Sequence, residues 1–600
     1  MLRSSSFAIS VFTIWPFLLS YSIHIPVETP FQTTLGSQST AAAAWKWTDI
    51  EPSRDLIWHP CFEEFQCARL DVPLDWLEPG DKVTLAIIKL PATDFDNYKG
   101  PVFTNPGGPG GSGVRSVRRS GKSLQKIVGA NHDIISFDPR GVGASGPLLN
   151  CWPSRQSEYL WSLQDVGVVD SHPGLIYDAY ARAAASSHLC TSLIGGNEST
   201  GIYGPLSYVS TTSVARDMLE ILHKTGREKL RYWAFSYGTV LGGMFAAMYP
   251  DKIDRMVNDG NVDYNEWANR AHTHFLHDTD AVMAAFYELC HKAGTSQCAF
   301  YEPTPVAIQN RLESLLQSLK THPRIVSTAS SDYSGADPVP ELVTYSSLKR
   351  LISTSLYRPI QLFPELARVS AALEAGDGAP FLDLAGAWGL RRKQFSCDCG
   401  LPPDLEIPDD SEGTDDAFRA IMCSDGLGAD DTVDGFTRYA EDLMQMSSAA
   451  GAVNVLFRLA CVGWKAKAKW RFSGPFGGNT SYPILFIANK ADNVTPLRSA
   501  QNNSKRFRDS VILVQNSYGH TSLAAPSSCT ASHVRAYFQN GTLPAPGTEC
   551  EADVSPFQET VITTLDMDKD EEGIKHALRE LMEEMPWTDF STKAVGNLGY

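Results

Sequence analysis

Three residues far apart in the chain have the types needed to break an acyl bond. Ser236 lies in WAFSYGTVLG (233–242), directly after an apolar run and before a stretch of small residues. Asp492 follows the run YPILFIA, in NKADNVTP, and His520 follows SVILVQ, in NSYGHTSL. A serine hydroxyl is a poor nucleophile until a base takes its proton, and the base needs an acid to orient it. The chain order serine, acid, histidine, with each residue just past a predicted strand, fits a nucleophile held on a sharp strand-to-helix turn. Such a turn needs small residues two positions either side of the serine. Here they are Ala234 and Gly238, so alanine stands where glycine is usual. Taken singly, Ser236 reads as a helix cap, Asp492 as a turn residue and His520 as a loop residue. Their order and shared placement at strand ends argue for catalysis.

Acyl transfer also needs N–H donors aimed at the developing oxyanion. Tyr237, the residue after the serine, is expected to give one. The loop NPGGPGGSG (105–113) is expected to give the other. Pro106 and Pro109 have no N–H, which leaves Gly107, Gly108 or Gly110, and Gly108 is favoured. The same loop contains GPGGSG (108–113), which matches a dinucleotide fingerprint. That motif wants an acid at the end of the next strand. Asp133 instead begins its strand, and two prolines suit a rigid loop better than a helix start. In FDPRGVGAS, Asp138 and Arg140 are expected to form an ion pair that buttresses this region. Asp259 and Asp263, past the next strand, read as loop-capping residues, with binding of a cationic amine as the functional alternative.

The elements that must position these residues form a parallel sheet. FQCARLDVPLDW and KVTLAIIKLPA predict two strands joined by a Pro-Gly turn. PVFT, HDIISF, KLRYWAF and IDRMVNDG predict further strands. TTSVARDMLEILHKTG and YGTVLGGMFAAMYP predict intervening helices, and strand–helix–strand alternation implies parallel pairing. Residues 265–455 change to helical patterns with polar loops, among them VSTASSDYSGADPVP and the acidic CDCGLPPDLEIPDDSEGTDD. The sheet pattern then resumes. The expected organisation is a signal or anchor (1–23), a leader (24–55), a core in two parts (56–264 and 456–550), a helical insertion (265–455) and a tail (551–600). In the tail Ile574, Leu578, Leu581 and Met585 fall at helical spacing and predict a docked amphipathic helix.

Bulk properties narrow the function class. The formal charge of -17 over 600 residues repels phosphate backbones, which excludes nucleic acid as the expected partner. One arginine precedes an apolar run from Phe7 to Ile23, the pattern of a secretory signal. Export would make the twelve cysteines a disulfide framework. Expected pairs are Cys61 with Cys67, Cys290 with Cys298, Cys151 with Cys190, and Cys397 or Cys399 with Cys423. No zinc-ligand pattern is completed, and neither metal nor cofactor is expected. Sequons for glycosylation occur at Asn197, Asn479, Asn493, Asn502 and Asn540.

As a set, NPGGPGGSG, FDPRGVGAS, FSYGTVLG, NDG, CVGW (461–464), ADNVTP and GH resemble the α/β-hydrolases of the tripeptidyl aminopeptidase and prolyl aminopeptidase group with a TAP-like C-terminal segment. The resemblance implies an α/β-hydrolase core with a mainly parallel sheet, interrupted by a large helical cap. It implies a secreted serine peptidase with Ser236 as nucleophile, Asp492 as acid and His520 as base. The expected activity is release of residues or short peptides from peptide N-termini. A carboxylesterase or natural-product hydrolase with the same triad is the alternative, and a catalytically dead binding protein is a third. No stable membrane association is expected once the signal is removed.

Overall fold

The computed structural model describes residues 45–326, 341–387, 415–558 and 569–584. The expected signal and most of the leader, both long polar loops of the insertion, Cys397, Cys399 and Met585 lie outside these residues. Among the described residues no helix is long and apolar enough to cross a membrane.

One ten-stranded sheet organises the core. Its strands are β1 (His59–Cys61), β2 (Phe65–Pro73), β3 (Lys82–Leu90), β4 (Val102–Asn105), β5 (Ile134–Phe137), β6 (Leu230–Phe235), β7 (Ile253–Asp259), β8 (Leu485–Ala491), β9 (Val511–Tyr518) and β10 (Glu549–Glu551). The spatial order is β1-β2-β3-β5-β4-β6-β7-β8-β9-β10. The hairpin predicted around the Pro-Gly turn is β2–β3, with Pro73 opposite Lys82. Pairing is antiparallel as far as the β3–β5 ladder. From β5 onward every ladder is parallel. A parallel sheet is covered on both faces, so its strands read as continuous apolar runs rather than alternating ones.

The pleat still sorts the side chains. Trp233 and Phe235 of β6 join a core with α1 (Gly113–Val128), α6 (Ser528–Asn540) and α7 (Lys569–Glu584). Tyr232 and Ala234 join the opposite core with α2 (Thr211–Lys224) and α3 (Tyr237–Met248). Tail helix α7 buries Leu578 and Leu581 against α1, as its spacing predicts. Between β7 and β8 the chain is largely helical. Helices over Thr279–Ala293, Pro305–Thr321, α4 (Tyr345–Ser355) and Pro359–Glu374 share a core that includes Phe286, Leu348 and Phe363. A further helix, α5 (Asp415–Asp425), packs instead with Tyr237 and Val240 of α3.

Five disulfides occur among the described residues: Cys61–Cys67, Cys151–Cys190, Cys290–Cys298, Cys423–Cys461 and Cys529–Cys550. The first three are expected pairs. The expectation for Cys423 is corrected, because its partner is Cys461 in CVGW rather than Cys397 or Cys399. The pairing joins α5 to the segment that leads back into the sheet, a tertiary approach that local spacing does not encode.

Candidate active site

Ser236 occupies a strained turn. It follows β6, precedes α3, and has φ 55° and ψ −125°. A non-glycine residue in such a region costs about 1–3 kcal/mol and persists only where the surroundings impose it. The surroundings are tight. A Cβ on Gly238 would lie 2.8 Å from the Asn105 carbonyl oxygen and 2.9 Å from the Ala234 Cβ. Ala234 is therefore tolerated in the motif because Gly238 facing it has no side chain. A Cβ on Gly107 would sit 2.6 Å from the Phe235 carbonyl oxygen and 3.0 Å from the Ser236 Cβ, so the glycine loop lies directly against the serine.

Asp492 and His520 come together as a buried pair, 0% and 2% exposed. The His520 Nδ1 is 3.0 Å from each carboxylate oxygen of Asp492. Asp492 also accepts from the N–H groups of Val494 (3.0 Å), Thr495 (2.9 Å) and Thr521 (2.9 Å), and from the Thr495 hydroxyl (2.6 Å). Burial raises its pKa, but the His520 charge, the His520 and Thr495 hydrogen bonds and the Val494 N–H overcome this and hold the carboxyl below its usual value. Asn489 steadies the His520 turn by donating to the carbonyls of Gly519 (2.8 Å) and Thr521 (2.6 Å).

Asp259 connects the two halves. It ends β7, the strand between the Ser236 strand and the Asp492 strand. Its carbonyl accepts the Ser236 N–H (3.0 Å). Its carboxylate accepts the Ser522 N–H (2.8 Å) and hydroxyl (2.5 Å), two residues past His520. Asp263 caps the short helix Tyr264–Ala268 by accepting from Asn265 and Glu266. Both acids are thus occupied in structural bonds, the loop-capping reading of the sequence.

The glycine loop narrows the donor choice. The Gly107 N–H is taken by the Asn105 side-chain carbonyl (2.9 Å), and the Gly111 N–H by the Gly107 carbonyl (3.2 Å). Gly108 and Gly110 keep N–H groups with no protein partner among the described residues. Tyr237 is the first residue of α3, where helical N–H groups have no intrahelical acceptor and the helix dipole is positive.

The expected Asp138–Arg140 ion pair is not formed. Asp138 is buried and accepts from the Ser112 hydroxyl (2.7 Å), Val114 N–H (3.1 Å) and Ala144 N–H (2.9 Å), which ties the start of α1 to the loop after β5. Burial, opposed by these bonds, pushes its carboxyl up to about 6. Arg140 turns away and grips Asp217 of α2 through two bonds of 2.6 and 2.8 Å, with both side chains fully buried. It also donates to the carbonyls of Pro73 and Leu74. The two side chains diverge because each finds a full set of partners on opposite sides of the loop. Arg140→Ala strands the Asp217 charge and is expected to lower unfolding free energy by about 3–5 kcal/mol in a denaturant titration. A loss under about 1 kcal/mol would contradict that account.

Two contributors carry no motif. Asp425, at the end of α5, accepts from the Thr211 N–H (2.7 Å), the Thr211 hydroxyl and the Trp267 indole (2.9 Å). Thr211 in turn meets the Tyr237 hydroxyl at 2.5 Å. Burial pushes the Asp425 carboxyl up to about 6. Its unfolded value is near 4, so the folded state holds the extra proton between these limits. Its contribution to stability is therefore full below about pH 4 and lost as pH rises through about 6. Asp425→Asn removes that dependence. The variant's melting midpoint should fall less between pH 4 and 7 than the wild type's, and equal falls would refute the assignment. The second contributor, Tyr357, packs its ring at 81° to His520 with centroids 5.4 Å apart.

Of the five sequon asparagines, Asn197, Asn479, Asn502 and Asn540 are exposed. Asn493 is 2% exposed beside Asp492, which removes it as an accessible acceptor.

Comparison with known proteins agrees with this architecture. The model of the alpha/beta hydrolase fold matches residues 100–321, and the model described as TAP-like protein matches residues 447–550. The chain is 26% identical over 495 residues to the serine protease Hip1 of Mycobacterium tuberculosis, covering 81% of this chain and 87% of that protein. It is 26% identical over 540 residues to the tripeptidyl aminopeptidase of Streptomyces lividans, covering 87% and 89%. It is 24% identical over 511 residues to carboxylesterase B of Mycobacterium tuberculosis, covering 81% and 86%.

Proposed function

We propose that this α/β-hydrolase with a TAP-like C-terminal segment is a serine peptidase whose acyl intermediate forms on Ser236. The observation that carries the reading is the buried His520–Asp492 pair tied through Asp259 and Ser522 to a strained serine at a helix N-terminus. His520 takes the Ser236 proton as the hydroxyl oxygen attacks the substrate carbonyl. Asp492 accepts the Nδ1–H and stabilises the imidazolium. The N–H groups of Tyr237 and Gly108 hold the oxyanion, aided by the positive end of α3. The imidazolium then protonates the leaving amine. Water, activated by His520, releases the acyl group and restores the serine.

The substrate is a peptide with a free N-terminus. Two relatives are named as a serine protease and a tripeptidyl aminopeptidase, and both align over most of their length. The helices between β7 and β8 form a cap over the site that selects the substrate. The disulfides and the apolar N-terminal run support a secreted enzyme. Exposed Asn197, Asn479, Asn502 and Asn540 are its glycan acceptors. The relative named carboxylesterase B supports a second reading, an esterase with the same triad.

Fluorophore release from paired substrates separates the two. Tripeptidyl and aminoacyl amides with free amines, their N-acetylated counterparts and short acyl esters would be compared. Cleavage of free-amine amides alone is expected. Cleavage of esters alone would move the enzyme to the esterase class.

A further inference from the structure

The tail helix α7 has no role in the chemistry described so far, yet it touches the chain that touches His520. The short link between α4 and the helix Pro359–Glu374 carries Tyr357 and Arg358. On one side, the Tyr357 carbonyl accepts the His520 N–H at 3.1 Å, and its ring meets the imidazole edge to face. The two backbones are so close that a Cβ on Gly519 would lie 2.5 Å from the Pro359 Cδ and 2.9 Å from the Tyr357 carbonyl oxygen. On the other side, Arg358 is 4% exposed and donates from Nη1 to the carbonyls of Met582 (3.1 Å) and Glu583 (3.4 Å), in the last turn of α7. Carbonyls in a last helical turn lack intrahelical donors and carry the negative end of the dipole, so a guanidinium satisfies both needs.

The helix offers a firm anchor. Leu581 is fully buried and Leu578 nearly so, in one core with Leu523, three residues past His520. The Glu580 carboxylate accepts the Ser123 hydroxyl of α1 at 2.6 Å. The same helix therefore braces His520 from both sides, through Arg358 and Tyr357 before it and through Leu523 after it.

We propose that Tyr357 is a positioning residue for His520 and that the C-terminal helix holds it in place through Arg358. This rests on the reading of His520 as the general base. In the free enzyme the imidazole is fixed on the Asp492 side by hydrogen bonds. On the cap side it is fixed by Tyr357. A misplacement of about 1 Å in a catalytic group costs as much as 10²-fold in rate, so loss of this brace acts on turnover rather than on substrate binding.

The test uses the full chain and reads kcat, KM and the rate of Ser236 modification by a fluorophosphonate. Arg358→Ala is expected to lower kcat and the modification rate about tenfold, with KM within about twofold of wild type. Arg358→Lys, which keeps a cation at the helix end, should recover most of the loss. Tyr357→Ala should match Arg358→Ala, and Tyr357→Phe, which keeps the ring, should recover most of its rate. The double variant Tyr357→Ala/Arg358→Ala should lose no more than either single one, because both act along one path. Wild-type kcat in Arg358→Ala, a lysine variant as slow as the alanine one, or multiplying losses would each overturn the inference. The Tyr357 pair leaves Arg358 and α7 intact, so it decides the positioning role of Tyr357 even if Arg358→Ala does not fold, and the milder Arg358→Gln then decides the helix contact by the same kcat readout. Ser236→Ala separates the two levels. Full activity in that variant would remove the underlying reading. An inactive Ser236→Ala with unaffected Arg358 and Tyr357 variants would remove only the brace.

Discussion

Replacing Ser236 with alanine is expected to lower kcat by about 10⁴–10⁶-fold against any substrate the enzyme turns over. The loss is large because the serine oxygen forms the bond that all later steps depend on. His520 and the oxyanion donors alone can only assist direct attack by water. Fold stability should change little. Alanine and serine both have a Cβ, so the strain at φ 55° and ψ −125° stays, and Gly107 and Gly238 still fit against the turn. The check is paired: kcat/KM on the substrate panel, and the melting midpoint by circular dichroism. A variant that melts like wild type and keeps more than about a tenth of the activity would remove Ser236 from the mechanism.

Asp492→Asn should cost about 10⁴-fold in kcat, through the tautomer and orientation of His520. The particular surroundings make this change harsher than loss of a charge. Every protein group around the carboxylate is a donor: the N–H groups of Val494, Thr495 and Thr521, the Thr495 hydroxyl and the His520 Nδ1–H. The donors are spread over both oxygens, so an amide NH₂ placed on either side faces N–H or O–H groups. At least one backbone N–H is left unsatisfied whichever way the amide turns, at a stability cost of about 1–3 kcal/mol. Activity and thermal stability should therefore both fall, unlike the Ser236 variant. A fall in stability with normal turnover would assign Asp492 a purely structural role.

The strand ends that carry Ser236, Asp492 and His520 were legible because each follows an apolar run, and runs of that kind are what a sheet covered on both faces requires. The tail helix was legible for a related reason, since Ile574, Leu578 and Leu581 recur on one face. The failures share a cause as well. Asp138 and Arg140 share one short motif, but the turn after β5 sends them to different partners. Cys423 finds Cys461 across a tertiary contact rather than along the nearest cysteine spacing. Asn493 carries a complete sequon yet is buried beside the carboxylate. Tyr357 and Asp425 carry no periodic or motif signal. Their importance arises only when separate segments meet around His520 and Tyr237.

The most direct test is intact-mass and peptide-level mass spectrometry after reaction with a fluorophosphonate. Activation of the serine by the buried histidine–carboxylate pair predicts one adduct per chain, located on Ser236, with activity lost in step with labelling. Labelling should be abolished in Ser236→Ala and slowed severely in Asp492→Asn. Labelling at another residue that tracks inactivation, or full activity with Ser236 fully modified, would contradict the account.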